Sequence, residues 1–196
     1  MTIIFKIYSL LTKIELFFIK KKFKSFGQNI SFGHLPTIQN AKYIELKNNI
    51  IIGKNATFFA IDSDTVKKTT PNLSIGNNIY IGHNVSIHCI NKVELQDNVV
   101  LSDYIYISDV SHGIHMDLDN SIMKQPWFSP GPVVIGKGTF LGYGVKVLPN
   151  VILGNNCIVA SGSVVTKSFE SYSMIGGAPA KLLKKYCFEN KVWKKV

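Results

Sequence analysis

The stretch from Val134 to Lys167, VIGKGTFLGYGVKVLPNVILGNNCIVASGSVVTK, repeats itself every six residues. Aliphatic side chains stand at Ile135, Leu141, Val147, Leu153, Val159 and Val165, and a small residue follows four of them: Gly136, Gly142, Gly154 and Ala160. A period of six matches neither the turn of an α-helix nor the alternation of a long strand. It suits short strands joined by tight turns. Each unit makes one flat side of a coil, points its aliphatic inward and bends at Gly or Asn, which accept positive φ. Three sides close one turn, and stacked turns bury a continuous aliphatic ladder.

The same register runs backward through Leu95, Leu101 and Ile107, through Ile75, Ile81 and Ile87, and loosely through Ile52 and Phe58. Gly53, Gly76 and Gly82 repeat the small position. The fifth position is small or β-branched at Ala56, Val85, Val99, Ile105, Val145, Val151 and Cys157. The predicted fold is therefore mainly β, a parallel β-helix of hexapeptide repeats over residues 27–170. Two insertions interrupt it, at 62–72 and 109–132. The first, with two Lys and three Thr, reads as a solvated loop. The second holds YISDVSHGIH, residues 106–115, and loops of this kind carry binding and catalysis. Residues 171–196 read as a turn and a short helix that caps the open end of the coil.

Ahead of the repeat, residues 1–26 read as an amphipathic helix. Ile3, Ile7, Leu10, Ile14 and Phe17 share one side, while Lys6, Lys13 and Lys20 recur on another. Lys6, Lys13 and Glu15 interrupt the apolar run, and no small-residue cleavage site follows, so neither a signal peptide nor a membrane span is predicted. A length of 196 residues suits one domain. Cys89, Cys157 and Cys187 are odd in number and widely spaced, which argues against a disulfide framework and for a reducing, cytoplasmic setting. The net charge of +10 is concentrated at the two ends, in KKKFK and in KLLKK and VWKKV, with no nucleic-acid motif beside it. An anionic small molecule, or a membrane surface met by residues 1–24, is the expected partner, and not nucleic acid.

With these motifs the sequence resembles the hexapeptide-repeat acyltransferases of left-handed β-helix fold. Within them it is similar to the sugar O-acetyltransferases of the galactoside and maltose branch, and most of all to enzymes that decorate bacterial surface polysaccharides. Four stretches carry the likeness: IGNNIYIGHNVSI, YISDVSHG, the run quoted first, and GGAPAK near the end. The resemblance implies left-handed winding, against the usual crossover preference of parallel strands. It implies a homotrimer, acetyl-CoA as acetyl donor, a sugar acceptor, no metal, and a place in surface-polysaccharide assembly. His112 matches the catalytic base of the family. Phe140, Gly142, Tyr143, Ser161, Thr166 and Lys167 would lie along the cofactor's arm, and Lys181 would face its phosphates. Polysaccharide O-acetyltransferases often read SDHxHG, and Val110 replaces the first His here. The aromatic near the acetyl group is often Trp and is Phe140 in this chain.

The chemistry is coherent with that assignment. A sugar hydroxyl is a very weak acid and must lose its proton as it attacks a thioester, and an imidazole accelerates such a step about 10²–10⁴-fold. No Cys or Ser stands in a nucleophile motif. Asp109 either orients the imidazole or makes an Asx turn. Asn84 either touches substrate or is an ordinary turn residue, and Trp127 either walls the sugar or packs under the loop. His115 reads as a solvated loop residue. An amino-sugar N-acetyltransferase is the alternative reaction, served by the same base and groove. Two further readings rank lower. His83 and His88 make an H-x₄-H pair similar to that of γ-class carbonic anhydrases, but a third zinc ligand is missing. A β-helix acting as a mere assembly subunit would leave the SDVSHG and GGAPAK motifs without purpose.

Overall fold

The six-residue units fold as short parallel strands stacked three units apart. In the computed structural model, which describes residues 7, 10, 11, 14, 17–34, 36–62, 69–116 and 121–196, Leu95 pairs with Ile75 below it and Ile135 above it. Leu101 likewise lies between Ile81 and Leu141, and Ile107 between Ile87 and Val147. Three parallel sheets result, the three faces of a left-handed parallel β-helix. Face A contains Asn72–Ile75, Lys92–Leu95 and Val133–Ile135; face B contains Ile79–Ile81, Val100–Leu101 and Phe140–Leu141; face C contains Ser86–Cys89, Tyr106–Ser108 and Lys146–Val147. Every ladder aliphatic named above from Ile75 to Val165 is fully buried, in one continuous core. The coil starts slightly earlier than the repeat suggested, at Ser25–Phe26, which pairs with Ile44–Leu46.

Asn stands at the corner between faces A and B on four successive coils. Asn29, Asn49, Asn78 and Asn98 all have φ between 55° and 61°, a region closed to most side chains but open to Asn. Each side-chain amide then donates to the carbonyl oxygen of the next, at 2.9, 2.9 and 3.2 Å. The repeat thus binds its own turns together outside the core as well as within it.

The two ends differ from expectation in different ways. Most of the expected N-terminal helix lies outside the described residues. Those described there are helical at 7, 10, 11, 14 and 17–19, with Ile7, Leu10, Leu11, Ile14, Phe17 and Phe18 exposed. Among the described residues no helix is long and apolar enough to cross a membrane. At the other end the expected helix is absent. Ser173–Gly177 adds to face B in parallel, Ala180–Cys187 returns antiparallel to it, and Val192–Lys195 pairs with that strand in turn. The apolar and basic doublets of KLLKKY read locally as helix, but the last strand of face B presents unpaired N–H and C=O groups. A strand satisfies them, and Tyr186 then stacks edge-on to Trp193 across the pair, 5.4 Å between centroids.

Candidate functional site

Both insertions leave the coil where face C turns into face A, and they close on one short corner from two sides. The corner is Ile90–Asn91, between Ser86–Cys89 and Lys92–Leu95. From the second insertion Asp109, fully buried, accepts the backbone N–H groups of Ile90, Asn91 and Lys92 at 2.8, 2.9 and 2.6 Å. From the first, the Thr69 hydroxyl donates to the Ile90 carbonyl at 2.7 Å. Ile61 and Ile90 form a small apolar cluster there with Phe59, Val110 and Trp127. Thr69 therefore takes part in structure where the sequence read as a solvated loop; residues 63–68 lie outside the described set. Asp109 holds the corner rather than the His112 ring. Burial pushes its carboxyl above the usual range, with the three N–H donors acting in the opposite direction.

Beyond Asp109 the insertion folds back as two short antiparallel strands, Ser111–His112 and Trp127–Phe128, which set His112 opposite Trp127. Gln125, almost fully buried, ties the base of this hairpin. Its side-chain oxygen accepts the His115 N–H at 2.9 Å and its amide donates to the His115 carbonyl at 3.0 Å. Gly113 passes so close that a Cβ there would meet the Gln125 side chain at 2.8 Å. Nothing in the sequence pattern marks Gln125, because it lies where the repeat is silent.

The hairpin brings the two rings into contact. Trp127 Nε1–H donates to His112 Nδ1 at 2.9 Å, and the rings meet edge-on at 5.3 Å. An indole nitrogen can only donate, so Nδ1 presents its lone pair and the neutral imidazole carries its proton on Nε2. Beside this pair lies a cavity of about 570 Å³ lined by Thr69, Gly113, His115, Pro126, Trp127, Phe128 and Ser129. His115 is exposed, as the sequence reading placed it, and also borders the cavity, and Trp127 both lines the cavity and touches His112.

The remaining predicted residues fall at the corners that bound face C or in the strands of face B. Asn84 sits in the corner from face B to face C with φ 55°, its side-chain oxygen accepting from Asn55 at 3.0 Å, as a turn residue does. Gly142, Tyr143 and Ser161 follow on that same corner, one coil apart; a Cβ on Gly142 would meet the Ser161 N at 2.8 Å. Tyr143 is exposed and lies against Tyr104 at 5.2 Å. Phe140 is exposed on the adjoining edge of face B, between Val100 and Ile158. Lys181 is exposed opposite Gly176 in the strand pair that extends face B. Gly142, Tyr143 and Ser161 thus lie at the corner from face B to face C, with Phe140 and Lys181 in strands of face B. Thr166 and Lys167 lie instead at the next corner, where the Lys167 ammonium sits 5.6 Å from the centre of the Phe169 ring.

Other chemistries find less support in the geometry. His83 Nδ1 accepts the Lys54 N–H at 2.9 Å, and His88 Nε2 bonds to the Ser86 hydroxyl at 2.9 Å while its ring stacks on Phe59. Among the described residues no group of three or more His, Cys, Asp and Glu could hold a metal ion. Cys89 and Cys157 are buried in the coil, and burial raises both thiols, Cys89 to about 12. Neither can serve as a thiolate nucleophile near neutral pH.

Comparison with known proteins gives a consistent picture. The model of the bacterial transferase hexapeptide family (six repeats) matches residues 132–167. The chain is 36% identical over 110 residues to a putative lipopolysaccharide biosynthesis O-acetyl transferase of Escherichia coli, covering 53% of this chain and 55% of that protein. It is 32% identical over 150 residues to a putative acetyltransferase of Saccharomyces cerevisiae, covering 76% and 74% respectively. Among solved structures, its fold is similar to that of a mutant N-acyltransferase from Bacillus cereus in complex with dTDP and coenzyme A. That match has a TM-score of 0.71 at 20% identity over 90% of this chain and 88% of the other. The chain spans about half the length, or less, of the curated relatives matched first.

Proposed function

The chain belongs to the hexapeptide-repeat acyltransferases, and from that premise we propose that it is an acetyl-CoA-dependent O-acetyltransferase acting on a sugar hydroxyl, with His112 as general base. The observation that carries this reading is the position of His112. It stands on the hairpin that projects where the repeat breaks, beside an aromatic-lined cavity. The edge of the coil supplies what a long, polyanionic thioester needs. Gly142 leaves the backbone flat, Tyr143 and Phe140 offer exposed apolar surface, and Lys181 offers a cation for phosphate.

In this mechanism the imidazole of His112 takes the hydroxyl proton as the sugar oxygen bonds to the thioester carbonyl carbon. Backbone N–H groups meet the developing oxyanion. The carbon–sulfur bond then breaks, the acetyl group stays on the sugar, and His112 returns the proton to the leaving thiolate. The chain assembles as a homotrimer with sites between neighbouring coils, and works in the cytoplasm in surface-polysaccharide assembly. Its basic N-terminal segment, residues 1–24, rests on the anionic inner leaflet. The O-acetyl transferase relative from Escherichia coli supports the pathway.

A second reading, transfer to an amino sugar, is favoured by the fold similarity to an N-acyltransferase with dTDP bound. Incubation of the purified protein with acetyl-CoA and a panel of free, nucleotide-linked and amino sugars, read by mass spectrometry, separates the two. Hydroxylamine removes an ester and spares an amide. Acetylation of amino sugars alone would overturn the first reading.

A further inference from the structure

The contact between Trp127 and His112 bears on how the base is controlled. A general base needs a free lone pair. In the neutral ring Nε2 is protonated and the lone pair of Nδ1 is taken by the indole N–H. The ring so held cannot accept a proton at either nitrogen. Nor can it hold one at Nδ1, since an imidazolium N–H would then face the indole N–H.

The contact is built in rather than a chance rotamer. Trp127 packs on Ile61 and Ile90 with Phe59 and Val110. The two-stranded hairpin fixes its register against His112, and Gln125 locks the hairpin's base. His112 itself is half-exposed, so a hydroxyl can reach it from outside.

We propose that Trp127 caps the base of His112 until an acceptor hydroxyl takes the indole's place, which protects the thioester from hydrolysis. This rests on the reading of His112 as general base. In hydrogen bonds the exchange is even, one neutral bond broken and another made, and binding of the sugar ring in the adjoining cavity drives the shift of the packed indole. A loosely held water lacks the binding energy of a sugar ring in the adjoining cavity and competes poorly. Once the exchange has occurred, the hydroxyl proton moves to Nδ1 and the sugar oxygen bonds to the carbonyl carbon. The carbon–sulfur bond breaks, and the Nδ1 proton passes to sulfur, while Nε2 keeps its own proton throughout. Trp127 acts through His112 and is a positioning residue.

Two measurements test this. The first needs no variant: in protein labelled with ¹⁵N-histidine and ¹⁵N-tryptophan, long-range ¹H–¹⁵N spectra report the tautomer. Nε2 of His112 should be protonated and Nδ1 bare, and of the two tryptophans the Trp127 indole signal should move in His112→Ala while that of Trp193 stays. A protonated Nδ1 in the free enzyme overturns the proposal. The second follows thiol release from acetyl-CoA with water as the acceptor. Trp127→Phe keeps an aromatic ring but removes the donor, and should raise hydrolysis about fivefold, equivalent to about 1 kcal/mol for one neutral hydrogen bond. The rise should vanish in the Trp127→Phe, His112→Ala double variant. Unchanged or slower hydrolysis in Trp127→Phe overturns the cap. Failure of the base assignment reads differently: His112→Ala would then keep its transfer activity whatever the spectra of the native protein report.

Discussion

Replacing Asp109 by Ala should unfold the site before it slows the chemistry. The carboxylate accepts three backbone N–H groups at 2.6–2.9 Å, and a buried donor stripped of its acceptor costs about 1–3 kcal/mol. The three donors are not equally sealed. Ile90 is fully buried, whereas Asn91 and Lys92 are half-exposed, so water can replace the carboxylate at two of them. Removal also relieves the cost of burying a charge. The net expectation is a loss of about 2–4 kcal/mol, or a drop in Tm of about 5–15 °C for a chain of this size. Asp109→Asn, which keeps one acceptor, should fall between. Thermal unfolding followed by circular dichroism measures both, and kinetics below the transition measures the rest. Turnover of the folded Ala variant should fall less than about tenfold, since the carboxylate is engaged by the corner's N–H groups and, among the described residues, no hydrogen bond ties it to the imidazole. Native stability with a large loss of turnover would refute this and make Asp109 the orienting carboxylate.

The same carboxyl fixes the sign of a pH effect. Its folded pKa is raised by burial, so the folded chain holds that proton to higher pH than the unfolded chain does. The stability linked to it is present below the unfolded value and is lost as pH rises through the folded one. Measured against Asp109→Asn, the native protein should therefore weaken with rising pH across that window.

Three further outcomes are expected. His112→Ala should lower kcat about 10²–10⁴-fold and the melting temperature by no more than about 2–4 °C, the cost of one hydrogen bond, because the hairpin stands outside the aliphatic ladder; retention of more than about a tenth of native kcat would exclude the base role. Lys181→Glu should raise KM for acetyl-CoA more than KM for the sugar, and equal rises would place the lysine elsewhere. Deletion of residues 1–24 should abolish cosedimentation with anionic vesicles, and unaltered binding would dispose of the membrane contact.

The fold was legible because its cause is periodic. Ile135, Leu141 and Val147 occupy the same position on three successive faces, so one rule written in the sequence dictates packing, register and turns together. Asn49, Asn78 and Asn98 belong to the same rule, and their ladder could be anticipated in kind. The C-terminal strands could not. Lys181 to Tyr186 carry no period, and what decided their conformation was the unpaired edge of Ser173–Gly177, a partner distant from any local pattern. Tertiary pairing overrode local propensity there.

The site divides along the same line. His112 is a candidate because SDVSHG interrupts a regular text, and an interruption is visible from sequence alone. Its surroundings depend on closure of a hairpin between residues fifteen apart, and on Asp109 and Thr69 reaching the same short corner from different insertions. Those contacts are set by geometry at the break and by no repeat. The consequence is chemical as well as structural. Reading the sequence identifies an imidazole, but which of its nitrogens holds the proton is decided by Trp127, whose alternative roles as sugar wall or packing residue were equally compatible with QPWFSPGP. If His112 is the base proposed above, a residue that only donates, placed on the one lone pair that a base requires, turns a packing side chain into a determinant of when that imidazole can react.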